Sequence, residues 1–200
     1  MDRARTTVQN NSESESRNTK KTLIKAGIHE LHENGFSDFS MRRVAAACGV
    51  SCAAPYRHFK DKDEFILEIF KYIARKWHMT QNIILSEYES DRDRLIEMSV
   101  AYLRFLLDNP DYFSILFLNT EKFSDIQKSI KAGISSVSRD LIKKYCMGVG
   151  MSERDRVRKT YIVRSLIFGA AHMIHNGEIQ NEEDGFDMLR EAISREFDIE

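Results

Sequence analysis

The chain has 200 residues, 42% of them hydrophobic and 30% charged, with a formal net charge of −1. That balance excludes a disordered polymer and leaves room for one large domain or two small ones around a real core. Two prolines and nine glycines are too few for a turn-rich β-protein, and the abundant Ala, Leu, Ile, Glu, Lys and Arg favour helix.

Residues 1–16 are polar, with a run of Asn, Ser and Glu that offers nothing to offset the entropy of ordering, and read as a flexible arm. Residues 19–34 form an amphipathic helix. Leu23, Ala26, Gly27, Ile28 and Leu31 share one face, and Lys20, Lys21 and Lys25 another. His29, His32 and Glu33 are read as a solvated face rather than a metal site. Gly35 ends the helix.

Residues 40–59 read as two short helices joined by a tight turn. Ser40 is a good N-cap, and Met41, Val44, Ala45 and Cys48 follow at helical spacing. Gly49 offers the positive φ that stops a helix. Ser51 would cap the second helix, with Pro55 in its first positions, where a missing N–H does least harm. A helical pair around a Gly-containing turn is the helix-turn-helix pattern, whose second helix lies in the DNA major groove. Here that helix offers Tyr56, Arg57, His58 and Lys60, and Arg42 and Arg43 open the first helix. All suit phosphate or base-edge contacts. The charge distribution agrees. Residues 17–62 hold nine Lys/Arg against four Asp/Glu, a net +5, whereas residues 63–200 carry −5. A basic head on an acidic body is the electrostatic footprint of a DNA reader with a separate second part.

The run Ser40…Val44-Ala45…Cys48-Gly49-Val50-Ser51…Tyr56-Arg57-His58-Phe59-Lys60…Lys62, with Phe36 after Gly35, resembles the DNA-binding motif of TetR-family transcriptional regulators over roughly residues 17–77. Cys48 stands where Ala is usual in that motif, and Ala53 where Gly is common. The residues expected at DNA are Ser40, Arg42, Arg43, Ser51, Cys52, Ala53, Tyr56, Arg57, His58, Lys60 and Lys62.

Asp61-Lys-Asp-Glu64 is an acidic capping box opening a long helix that runs past Ile84, with Lys62 in its first turn, where a phosphate is welcome. Further helices are expected over residues 91–107, after Asn109-Pro110, from Ser124 to about 146, from Ser152 to about 175 and from Asn181 to about 197. The fold expected is all-α, with an N-terminal three-helix DNA-binding domain (17–77) joined by the long helix to a C-terminal domain (78–200). Three cysteines without paired spacing suggest a reducing cytoplasm, with Cys48 and Cys52 as small residues beside the turn. No apolar run of about 18 residues and no signal-peptide core is present, so no membrane partner is expected.

In residues 78–200 no catalytic motif stands out, and no cofactor or metal site is expected. His172 and His175 at i and i+3 are weak evidence for a metal. Aromatic residues gather instead, and an apolar effector pocket is expected near Tyr102, Phe105, Phe113, Phe117, Phe168 and His172. The helix over 152–175 is apolar almost all round, so it must bury more than one side. A two-fold interface is expected through Ile162, Leu166, Gly169, Ala170, Met173, Leu189 and Ile193, the arrangement the resemblance implies. The function read from the sequence is a homodimeric regulator of double-stranded operator DNA, a repressor released by a small effector. The alternatives are an activator or co-repressor-dependent regulator, or a helical ligand-binding protein or enzyme whose basic head is incidental.

Overall fold

A computed structural model describes residues 2–118, 121 and 123–198, with side chains from Glu15 onward. All regular structure among the described residues is helical, and the chain divides into two compact units: Met1–Ile73 with Ser114–Lys131, and Ala74–Phe113 with Ala132–Glu200. The sequence reading had placed residues 114–131 in the second domain.

In the first unit, α1 (Asp2–Asp38) is interrupted only at Gly35, with φ 65°. The stretch expected to be an arm has helical backbone from Asp2, continuous with the amphipathic part. No Gly or Pro breaks it before Gly27, and the Thr19 and Thr22 hydroxyls donate back to the carbonyls of Glu15 and Asn18. α1 buries Leu23, Ile24, Ile28 and Leu31, and α2 (Met41–Ala47) buries Met41, Val44 and Ala45. α3 (Lys62–Glu87) contributes Phe65, Ile66, Ile69, Phe70 and Ile73, all fully buried. At Gly27 the backbone of α1 lies directly against side chains of α3. A Cβ there would lie 2.6 Å from the Phe65 ring and 3.2 Å from Ile69.

Two helices beyond residue 109 contribute to this unit: the end of α5 (Pro110–Phe117) and most of α6 (Asp125–Gly133). Phe123, 3% exposed, stands edge-on to Phe36 at 5.0 Å and to Phe70 at 5.3 Å. Ser124 and Gln127 form a reciprocal capping box. Gln127 N–H donates to Ser124 Oγ (3.3 Å), and Ser124 N–H to Gln127 Oε1 (2.9 Å). The buried Gln127 amide also donates to the Asp63 carbonyl at 3.0 Å. The contacts with Phe36, Phe70 and Asp63 are long-range, which is why helical periodicity did not assign the segment.

The second unit is built around α4 (Asp91–Leu107), which packs against α7 (Ser136–Gly148), α8 (Glu153–His175) and α9 (Glu183–Glu196). Ser90 and Ser152 cap α4 and α8, accepting the N–H groups of Asp93 and Asp155 at 3.0 and 3.1 Å. The single helix expected from Ser124 to about 146 is two, α6 and α7. The break falls where the Ser135 and Ser136 hydroxyls take the carbonyls of Ala132 and Gly133, competing with the helical ladder. α9 starts at Glu183, with Glu182 at its cap and no side-chain capping bond, rather than at Asn181.

Gly27→Val should lower folding stability by about 1–3 kcal/mol, the usual cost of overpacking, because Phe65 is held by neighbouring rings and has nowhere to retreat. Urea denaturation followed by circular dichroism measures it.

Candidate nucleic-acid interface

The turn between the two halves of the motif is fixed by hydrogen bonds. Ser40 Oγ accepts Arg43 N–H at 3.3 Å. At the other end of α2, Gly49 N–H donates to the Ala46 carbonyl and Val50 N–H to the Ala45 carbonyl, both 3.0 Å. That is the paired closure of a Schellman motif, and it requires the positive φ of Gly49, 66°.

The second half departs from expectation. Instead of an α-helix capped by Ser51, it is a series of turns leading into a 3₁₀ turn, Pro55–Arg57. Ser51 accepts Ala54 N–H through its carbonyl at 2.9 Å, and Arg57 and His58 donate to Ala54 and Pro55, three residues back. Pro55 has no N–H to give the Ser51 carbonyl, so the α-helical ladder cannot start there.

Around this segment Arg42, Ser51, Cys52, Ala53, Tyr56, Arg57 and Lys60 are exposed, Tyr56 at 56%. Lys21 and Lys25 extend the basic surface along α1. His58 is half-buried, and burial, then Lys20 and Arg57, push its pKa below the usual 6.5. Two of the expected DNA residues are engaged inside the unit. Arg43 donates to the buried Glu30 carboxylate and to the Asp38 carbonyl. Lys62 donates to the Ser37 carbonyl at 2.9 Å, its ammonium 5.0 Å from the Phe36 ring centre. Glu30 was not singled out in the sequence, because a carboxylate on a helix face ordinarily reads as solvated.

Residues 23–69 match the family model described as bacterial regulatory proteins of the tetR family, a span covering the last part of α1, the motif and the start of α3. Residues 23–69 thus carry the DNA-binding region of the TetR family of transcriptional regulators. It is 26% identical over 160 residues to the HTH-type transcriptional regulator CymR of Pseudomonas putida, covering 76% of this chain and 77% of that one. It is 24% identical over 168 residues to YerO, an uncharacterized HTH-type transcriptional regulator of Bacillus subtilis. That match covers 80% of this chain but 57% of the relative's length. In fold it is similar to a TetR family transcription regulator from Marinobacter aquaeolei VT8, with a TM-score of 0.77 at 15% identity, covering 93% and 97% of the two chains. These relatives are regulators of transcription rather than enzymes. No described helix is long and apolar enough to cross a membrane.

The residues expected at an effector are brought together only in part. Tyr102, Phe105 and Phe168 share a ring cluster with Trp77. Tyr102 lies 4.9 Å from Trp77 and 6.4 Å from both Phe105 and Phe168. Phe113 pairs with His175 at 6.1 Å. Phe117 is 51% exposed and falls in the first unit, and His172 is exposed on α8, 3.0 Å from the Asn176 amide. A residue the sequence did not flag is Gln81, fully buried. Its Oε1 lies 2.8 Å from His78 Nδ1, and its amide nitrogen 3.4 Å from Ser138 Oγ.

Because His58 is held neutral, the unfolded chain binds a proton at this site more readily than the folded one. Its stability contribution is therefore complete above about pH 6.5 and is lost as pH falls through the lowered folded pKa. Melting temperatures measured from pH 7.5 to pH 5 should fall less steeply for His58→Gln than for the natural chain.

Proposed function

We propose that the chain is a dimeric repressor that reads double-stranded operator DNA and is released by a small, largely apolar effector. The observation that carries the dimer is the exposed apolar stripe on α8. Val157 is 56% exposed, Tyr161 73% and Met173 39%, and Met188 on α9 is 63% exposed. Ser165 and Gly169 lie between them at four-residue spacing, small enough to let another helix approach. A groove of about 420 Å³ follows this face, with Val157, Tyr161 and Phe168 in its wall and Arg156 and Arg164 beside them. An apolar stripe of this length on a DNA-binding chain calls for a partner, and a second copy supplies the same stripe by symmetry. Of the residues expected there, Ile162, Leu166 and Ala170 are half-buried, and Gly169 and Met173 are exposed. Leu189 and Ile193 are not part of the surface. They are 7% and 0% exposed, turned into their own protomer beside Phe186.

Two such heads, related by a two-fold axis, would address major grooves about 34–36 Å apart. The effector would be held at the Trp77–Tyr102–Phe105–Phe168 cluster. Burial pushes the Tyr102 phenol up to about 12, opposed by Arg164, so it stays protonated as a hydrogen-bond donor among apolar rings. Binding there acts on DNA affinity only by favouring one of two states of the dimer.

A Cβ at Gly169 meets nothing within 4 Å in its own protomer. Gly169→Arg should therefore leave the melting temperature of the isolated chain nearly unchanged while producing a monomer with weakened operator binding. Light scattering and a mobility-shift titration read the two effects. A variant that stays dimeric and binds normally would remove α8 from the interface.

Tyr102→Phe deletes one hydroxyl and keeps the ring. With an effector found by thermal-shift screening, the variant should bind operator as the natural chain does and need at least several-fold more effector for release. An unchanged release curve would take the effector away from this cluster.

A further inference from the structure

The Glu30 carboxylate, 8% exposed, lies in the body of α1 and joins three pieces of the reading unit. Its Oε1 accepts Ser40 N–H at 3.0 Å, at the cap of α2, and Arg43 Nε at 2.9 Å, in that helix's first turn. The same guanidinium donates through Nη2 to the Asp38 carbonyl, in the link between the two helices. The Arg43 backbone N–H is the donor that Ser40 Oγ accepts. One arginine thus closes α1, residues 38–40 and α2 onto a single buried oxygen, and its fork is turned toward that oxygen and the link carbonyl.

We infer that Arg43 is a positioning residue for DNA recognition, acting through Glu30 to fix the angle at which α2 and the Ser51–Lys60 segment are presented, and that its charge is not spent on a phosphate. The inference rests on the DNA-binding reading. A planar guanidinium that bonds one carboxylate through Nε and Nη2, and a carbonyl through Nη2, does a job that a lysine ammonium cannot copy. A phosphate contact, in contrast, asks mainly for a positive charge within reach. The two roles separate on two axes: the effect of a charge-conserving substitution, and the dependence of binding on salt, whose slope counts neutralised phosphates at about 0.9 each.

The experiment uses the full chain and a duplex selected by the natural protein from a random-sequence pool. Failure to select any duplex would count against the DNA-binding reading itself, before any variant is compared. Affinity and its salt dependence are then measured for Arg43→Lys and for the paired Glu30→Met, Arg43→Met variant, alongside melting temperatures. Arg43→Lys should lose about tenfold or more in affinity with the salt slope unchanged and a melting temperature lower by several degrees. The paired variant removes both charges together, so no carboxylate is left buried alone. It should recover most of the melting temperature yet, with nothing left to fix the angle of α2, bind about as weakly as Arg43→Lys, again at the same slope. Should the paired variant fail to fold, Arg43→Lys decides alone. Near-natural affinity for Arg43→Lys, or a folded paired variant whose slope falls by about one phosphate, would make Arg43 a DNA contact and overturn the inference.

Discussion

The exposed surface of the helix-turn-helix motif depends on the edge-to-face contact between Phe59 and Phe65, ring centres 4.1 Å apart at 70°. The segment that presents Tyr56 and Arg57 contains only a three-residue 3₁₀ turn, and a piece that short has no stability of its own, since helix nucleation is unfavourable. It is held from behind. Phe59 closes it, donating its N–H to the Pro55 carbonyl at 2.9 Å and burying its ring almost completely. Phe65 receives that ring on α3, touches Phe39 at 5.4 Å, and is backed by the bare backbone of Gly27 on α1. The Lys20 ammonium lies 5.4 Å from the Phe59 ring centre. Three elements therefore locate one aromatic side chain, and that side chain locates the exposed groups next to it.

In the second unit polar capture plays the corresponding part. A helix end leaves carbonyls without partners, and those at the end of α9 are met by donors from three other helices. Arg92 of α4 donates to the Ser194 carbonyl at 3.1 Å, Tyr145 of α7 to that of Phe197, and Lys159 of α8 to that of Glu196. Along its length α9 is also tied to α4, by Arg190 to Glu97 at 2.8 Å and by the Arg104 guanidinium, 4.1 Å from the centre of the Phe186 ring. This rotational lock turns Phe186, Leu189 and Ile193 inward and Met188 outward. It separates the apolar side chains that complete the protomer from those left over for a partner.

Local signals carried most of what could be read from the chain before its structure. Ser40, Ser90, Ser124 and Ser152 are capping residues whose bonds form within three residues, and the turn at Gly49 is closed by backbone groups three and five positions apart. Such features are written within a few letters of one another. What was not legible depended on distant partners. Periodicity identified Leu189 and Ile193 as apolar and helical, but one stripe looks the same whether it faces its own core or another chain. Phe123 and Gln127 joined the first unit through contacts with Phe36, Phe70 and Asp63, more than fifty residues away in sequence. Pro55 is a different case. Its missing N–H was visible, but it was weighed as a tolerated helix start when it was enough to keep the segment from becoming an α-helix.

The same distinction governs the charges. A net +5 over residues 17–62 describes composition, and the field at the surface depends on how those charges are used. Lys20 is paired with Glu68 at 3.1 Å, Arg43 with Glu30, and Lys62 with a carbonyl and a ring. The exposed positive groups around the motif other than the paired Arg43, namely Lys21, Lys25, Arg42, Arg57 and Lys60, come from α1, from α2 and from the 3₁₀ turn and its exit. Their arrangement is therefore set by the packing of those elements rather than by any one helix. On the proposed reading, affinity for a charged backbone and the geometry that reads bases would be coupled through the same buried contacts. A substitution at Glu30, Gly27 or Phe65, all buried, would then act on both.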